Sequence, residues 1–451
     1  MMSGENYKTF LKGKRITVMG IDPEGRGVQD ALFLAQHGAE VIVTDLKDEK
    51  MLQQSVLRLK KYDNISFALG GHRLQDFKEK DIIVRAAGLP LGSKYVAEAK
   101  QNHIEVRTDE TLFLKLAPEV TVVGVTGTRG KSTVTGLIHH ILEQAGRSVF
   151  LGGNVRGKAT LPLLGKVRKG DIMVMELDSW KLQGFGDAKI SPHISVFTNF
   201  FPDHMNYYQG RMDWYFRDKA NIFKYQKKGE ILIAGEQAAG EIKLRFKGNI
   251  KSEVQVARKS VVPKTWKIKI LGEHNLANIA CAMEACRALG ILEKDIKRGV
   301  ETFMGVPGRQ ELVRTVRAVQ YINDTTATSP AGLFAALDVF SDKKAKNVIL
   351  LAGGADKQLD YRPMAQRINK TVKALILFKG AGTDKIAAAL SMNKKYPFFI
   401  AGSMAEAIQL AQHNAQKGDI VLLSPGTASF GVFKNEFDRG DQFVALVKKL
   451  T

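Results

Sequence analysis

The chain has 451 residues, 44% hydrophobic and 25% charged, the composition of a globular protein of two or three domains. No apolar run of about 18 residues occurs, so no membrane-spanning helix is expected, and "MMSGENYKTFLKGKR" lacks the apolar segment of a signal peptide. The net charge of +21 raises the question of a nucleic-acid partner, but the cations fall in short groups beside acids ("LKKYDN", "KVRKGD", "YQKKGE"), which favours a lysine-rich surface or a small anionic substrate over nucleic acid.

The first block opens with a strand pattern, "RITVMG", then a glycine loop and the helical "VQDALFLAQHG". A second strand, "EVIVTD", ends on Asp45, where an acid commonly meets a ribose hydroxyl. "DIIVRAAGLP" and "YVAEAKQNHIEV" continue the alternation, so a Rossmann-like parallel sheet is expected. The loop glycines, Gly20, Gly25 and Gly27, do not have G-x-G-x-x-G spacing, so NAD is not specifically indicated.

The second block begins with the strand "VTVVGVTG" and runs through "GTRGKST" into the helix "STVTGLIHHILEQAG". Strand, glycine turn, Lys-Ser-Thr and helix form a phosphate-binding arrangement, with backbone N–H groups and a helix N-terminus facing the anion. Lys131 would reach the terminal phosphates and Ser132 would hold Mg²⁺. The usual G-x-x-x-x-G-K-[ST] register has Val125 in place of its first glycine, so this is a branch of the phosphate-loop enzymes. "DIMVMEL" and "ISVFTNF" are apolar on both faces, as buried parallel strands are, and they end near Glu176 and near Asp203 and His204. A β-like, lysine-rich stretch over 247–270 and a helix from "NLANIACAMEACRALG" close the block. That helix carries the only two cysteines, Cys281 and Cys286, on different faces, and such sparing use of cysteine fits a reducing cytoplasm. "GVPGR" reads as a linker.

The third block repeats the α/β theme. "INDTTATSP", "LLAGGADKQLDY" and "LSPGTASFGVFKNEFDRGDQF" all follow strands, which suggests one shared cleft face.

Together these segments resemble the Mur ligase family of peptidoglycan synthesis. The loop matches the family's G-[VI]-T-G-T-x-G-K-[ST], which accounts for the shifted glycine. "ELDSW", "NFFPDHMNYY", "GEHNLANIACA", "VPGRQE" and "INDTTATSP" resemble further family motifs, and "LSPGTASFGVFKNEFDRGDQF" is similar to the glutamate-adding branch. The resemblance implies an α/β protein of three domains. These are a Rossmann-like UDP-substrate domain over 1–110, a central ATP-binding domain with a mostly parallel sheet over 111–307, and a Rossmann-like glutamate-binding domain over 308–451. It implies ATP-dependent amide formation, in which D-glutamate joins UDP-N-acetylmuramoyl-L-alanine through an acyl phosphate, by a cytoplasmic monomer.

By the same resemblance, Gly127, Thr128, Gly130, Lys131, Ser132, Thr133, Asn275, Asn278, Arg309 and Asp324 would bind ATP. Ser132, Glu176, His204 and Lys219 would hold two Mg²⁺ ions, with Lys219 carbamylated, because an anionic carbamate oxygen suits Mg²⁺ and an ammonium does not. Lys131, Lys219, His204 and Asp203 would carry the chemistry. Asp45, Gly88 and Asn154 would contact the UDP-linked substrate, and Thr328, Lys357 and Ser429 the glutamate. The chain departs from the family pattern at Thr326, where a lysine is usual, in the extra "IDPEG" of the first loop, and at Glu436-Phe437. The rival readings are another Mur-type or folylpolyglutamate-type amide ligase, a nucleic-acid-stimulated ATPase, and an NAD oxidoreductase.

Overall fold

A computed structural model describes residues 6–21, 25–86, 88–89, 92–117, 119–205, 207–270, 272–341, 345–391 and 397–451. Three sheets organise them. The first has five parallel strands in the order Ile65–Leu69, Glu40–Asp45, Arg15–Met19, Ile82–Arg85, Glu105–Arg107. The order reverses between Arg15–Met19 and Ile82–Arg85, the switch point at which open α/β sheets form a crevice beyond their strand ends.

The second sheet has six parallel strands, ordered Glu253–Ala257, Ile231–Gly235, Ile194–Phe197, Thr121–Thr126, Ile172–Glu176, Val149–Gly153. The strand leading into the phosphate loop therefore lies between the strand ending at Glu176 and the strand ending at Phe197. Its central strands are buried on both faces, which is why they read as unbroken apolar runs. Of the lysine-rich stretch expected to be β-like, only Glu253–Ala257 is a strand, at the sheet edge.

The third sheet is also six-stranded: Glu311–Val316, Val319–Asn323, Ile420–Leu423, Val348–Ala352, Val372–Phe378, Phe398–Ala401. Its first pair is antiparallel and the other pairs are parallel. The edge strand Glu311–Val316 escapes the sequence reading because charges interrupt it and Leu312 is exposed.

The chain divides into two compact units, 1–268 with 273–303, and 269–272 with 304–451. The first two sheets share a unit because one apolar cluster runs through both, from Leu11 and Val28 through Phe113 to Phe197 and Ile242. The helix Asp109–Leu116 joins these sheets, and a capping box between Thr108 and Thr111 fixes its start. In the second unit, two clusters pack on the sheet, one around Leu350 and Leu422 and the other around Leu351 and Leu423. Residues alternate faces along a strand, so these neighbours belong to opposite sides.

Candidate active site

The phosphate loop is shaped by its glycines. Gly127 has φ +149° and Gly130 φ +80°, and both are crowded. A Cβ at Gly127 would stand 1.9 Å from Thr198 Oγ1, and one at Gly130 2.1 Å from Asn278 Oδ1. The displaced Gly124 has another cause. It lies within the strand, where a Cβ would stand 2.4 Å from Pro192 Cγ. The loop is clamped to the neighbouring strand end. Thr128 N–H donates to Asn199 O (2.9 Å), Arg129 N–H to Asn199 Oδ1 (2.8 Å), and Thr198 Oγ1 to Arg129 O (2.6 Å). The helix Lys131–Gln144 starts at once, with Ser132 and Thr133 in its first turn. Lys131 Nζ folds back to Gly127 O (3.0 Å) and Thr128 O (3.2 Å). Asn275 and Asn278 are buried on the helix Glu273–Ala288, and Asn278 Nδ2 donates to Asn275 Oδ1 (2.9 Å). The loop, Lys131 and both asparagines are thus brought together.

Lys219 lies deep beside this loop. It is 1% exposed, and its Nζ donates to Gly127 O at 2.9 Å and sits 4.9 Å from the centre of the Tyr215 ring. Burial, with the Lys131 charge added, holds its ammonium well below the ordinary lysine range, although Asp178, Asp203 and Glu176 all act in the opposite direction. Three carboxylates therefore act electrostatically on a lysine that burial tends to keep neutral. Glu176 is 5% exposed at its strand end.

Asp203 and His204 follow the neighbouring strand. His204 takes φ +54°, its N–H donates to Asp203 Oδ1 (3.0 Å), and its ring lies 4.6 Å from that of Trp180. Burial lowers the His204 pKa, with Asp203 opposing and the Lys131 charge assisting. Among the described residues no group of three or more His, Cys, Asp or Glu side chains forms a ready metal cage. The oxygen donors present suit a hard ion that keeps several of its waters, which is the habit of Mg²⁺.

At the switch point of the first sheet lies a cavity of about 460 Å³. Asp45, Gly88 and Asn154 all line it. Asp45 Oδ2 accepts from Ile21 N–H (2.8 Å), and Asn154 Oδ1 accepts from Arg26 Nη1 (2.9 Å), which ties the first sheet's loop to the second. The inserted residues 22–24 of that loop lie outside the described residues. The cavity also takes in groups the sequence did not reveal, namely Arg26, Arg85, Asp109, Trp180 and Lys181. Lys181 is 4% exposed, in contact with fully buried Glu110 and 3.8 Å from Asp109. Burial opposes its charge, but Asp109 and Glu110 outweigh burial and keep the ammonium protonated. Burial and the Asp109 charge push Glu110 up to about 7. No feature of "ELDSWKL" signals a buried lysine, because its two acids lie about 70 residues upstream.

Lys181→Ala leaves two buried carboxylates without their cation. A loss of about 3–5 kcal/mol is expected, the usual result of breaking a buried ion pair from one side. Urea titration of both proteins measures it, and a loss below about 1 kcal/mol would mean that the pair is effectively solvated.

In the second unit, Lys357 Nζ donates to Thr328 Oγ1 at 2.9 Å. A bridge between Ala355 and Ala428 sets the 2%-exposed Ser429 beside the same loop. Asp324 accepts from Ser424 Oγ (2.8 Å) and Gln310 N–H (3.2 Å), next to Arg309, and burial pushes its carboxyl up to about 7. Thr326, where the family has lysine, donates to Gly308 O (3.0 Å). Thr325 Oγ1 donates to Glu436 O (2.7 Å), and Arg439, 0% exposed, donates to Thr325 O (2.8 Å).

Comparison with known proteins identifies the family. The Mur ligase middle domain matches residues 125–286, and the Mur ligase glutamate ligase domain matches 308–426. A relative from Roseiflexus sp. (strain RS-1), named UDP-N-acetylmuramoylalanine--D-glutamate ligase, is 36% identical over 98% of this chain and 100% of its own. Relatives of the same name from Borreliella afzelii and Acetivibrio thermocellus are 34% and 32% identical, over 98% and 99% of this chain and 99% and 98% of theirs. Among solved structures, UDP-N-acetylmuramate-alanine ligase MurC from Thermotoga maritima has a TM-score of 0.58 at 16% identity and covers 96% of this chain and 99% of its own. MurF ligase from the same organism, in complex with ADP, has a TM-score of 0.58 at 16% identity, with 99% and 97% covered. These two speak for the fold alone. Full-length identity above 30% and two matching domains establish descent, and the chain belongs to the Mur ligase family.

Proposed function

We propose that the protein is an ATP-dependent amide ligase that adds D-glutamate to UDP-N-acetylmuramoyl-L-alanine, acting as a monomer in the cytoplasm. The observation that carries this reading is end-to-end similarity to relatives named for that reaction. Among the described residues no helix is long and apolar enough to cross a membrane. Our reading of the domain limits is 1–110, 111–307 and 308–451.

A carboxylate does not condense with an amine at neutral pH, because its oxygen is a poor leaving group. The L-alanine carboxylate oxygen attacks the γ-phosphorus, ADP departs and an acyl phosphate forms. The glutamate amine then attacks the carbonyl carbon, and phosphate leaves with the former carboxylate oxygen. Gly127, Thr128, Gly130, Ser132 and Thr133 present the loop's N–H groups and hydroxyls to the phosphates, and Lys131 swings from its own loop carbonyls onto them. By the family resemblance, Asn275, Asn278, Arg309 and Asp324 would also contact ATP. Ser132, Glu176, His204 and a carbamylated Lys219 would hold Mg²⁺. The metal, when bound, supplies positive charge that offsets repulsion between the anionic acceptor and the triphosphate. Lys219 Nζ would add CO₂ as the neutral amine and release one proton, and its burial favours that neutral form. Asp203, at the same strand end, is placed to accept a proton from the incoming amine, while His204 would serve there as a metal ligand. The UDP-linked substrate occupies the cavity lined by Asp45, Gly88 and Asn154, while Thr328, Lys357 and Ser429 take the glutamate carboxylates.

The decisive assay is phosphate release from ATP and Mg²⁺ with UDP-N-acetylmuramoyl-L-alanine, offering D-glutamate, L-glutamate and other amino acids separately. Release is expected with D-glutamate. Turnover with neither isomer, or only with another amino acid, would sink the reading.

A further inference from the structure

The basic groups that look scattered in sequence are gathered by the topology of the central sheet. All six of its strands are parallel, so every loop entering a strand lies at one end, opposite the phosphate loop. The two loops at the edge, 224–230 and 246–252, carry Lys224, Lys227, Lys228, Lys247 and Lys251. Loops 145–148, 165–171 and 189–193 add five more cations, and all ten are exposed. Against them stand exposed Glu253 at the start of the edge strand, which accepts from Gln255 Nε2 (2.9 Å), and three acids in the entering loops, each of them engaged. Glu119 pairs with Lys169 (2.7 Å), Asp171 accepts from Arg168 N–H (2.7 Å), and Glu230 accepts from Lys227 N–H (2.6 Å). Acids on the adjoining helices are also occupied, Asp187 with Lys100, Asp213 and Glu241 with Arg245, and Glu143 with His139. The edge loops are braced to each other. Ser252 Oγ donates to Gln226 Oε1 (2.8 Å), and Glu253 N–H to Glu230 O (3.0 Å).

We infer that this end of the central sheet is a docking surface for an anionic phospholipid bilayer. Six strands about 4.8 Å apart make a platform about 24 Å wide, a shape suited to a plane of headgroups. Eight of the ten cations are lysines, compact charges on long stems that suit diffuse attraction to such a plane. Nucleic-acid sites instead favour arginine forks and aromatic stacking faces, and here Tyr225 and Phe246 are half-buried. Docking this way leaves the phosphate loop at the far end of the same sheet. The inference does not depend on which amino acid the enzyme adds.

Sedimentation of the full chain with vesicles tests it. Phosphatidylcholine vesicles with 30% phosphatidylglycerol should carry the protein down at low salt, pure phosphatidylcholine vesicles should not, and 0.5 M NaCl should release it. The variant K227E/K228E/K247E/K251E should bind at least about 100-fold more weakly. A control of equal charge change on other exposed lysines, K50E/K61E/K417E/K449E, should keep most of the binding, and both variants should keep wild-type ATP turnover as a check on folding. Equal loss in both variants would reduce the effect to net charge. Absence of wild-type binding, or displacement of the protein from vesicles by equimolar single-stranded DNA, would overturn the assignment.

Discussion

Lys219→Ala should lower glutamate-dependent phosphate release by at least about 10²–10³-fold, the scale of removing one group that stabilises charge during transfer. Its fold should survive, because alanine removes a buried amine whose solvation is already incomplete. The informative arm is rescue. A short carboxylic acid such as acetate, added to the Lys219→Ala protein, should restore part of the activity, since it supplies the anionic oxygen that the carbamate would provide. A surface-type lysine would show neither loss nor rescue. A structural lysine would show loss of stability with no rescue. Full activity in Lys219→Ala ends the carbamate proposal and leaves the ligase reading to the substrate assay.

Gly127→Ala is the second large effect. Alanine at φ +149° is strained, and its Cβ would fall 1.9 Å from Thr198 Oγ1, the hydroxyl that holds Arg129 O. The clamp between the phosphate loop and the neighbouring strand end must open. ATP affinity should fall by at least about tenfold while melting temperature drops by only a few degrees, because the strain is confined to a loop. Measured ATP binding together with thermal unfolding separates this from global damage. The double variant Gly127→Ala/Thr198→Ala should recover part of the binding by removing the clashing hydroxyl. If Gly127→Ala binds ATP as well as the parent, the loop does not hold phosphates in the way proposed.

Much of the site is local and therefore legible in the chain. The loop "GVTGTRGKST" has its meaning within ten residues, because a strand, two left-handed or crowded glycines and a helix start are set by short-range sterics. Its odd Gly124 becomes intelligible only with Pro192 in place, a contact between residues almost 70 positions apart. Lys219 shows the same limit. In a chain of net charge +21 a lysine on "WYFRDKANIF" reads as solvated surface, and only family resemblance singled it out. Lys181 had no such help, and its burial against Glu110 was invisible because the acids come from the helix that joins the two sheets.

The class of fold, the alternation of strands and helices, the phosphate loop and the family were all legible in the chain alone. Each of these depends on periodicity or on motifs a few residues long. Which distant groups meet depended on packing in three dimensions. That packing set the order of the parallel strands, which places Glu176, Asp203 and the loop at one end of the central sheet and ten exposed cations at the other. It also decided which charges are buried, and so which lysines lie against acids or in a desolvated pocket. Burial and strand order are properties of the closed chain, fixed by packing between segments dozens of residues apart, and no short stretch of residues encodes them alone.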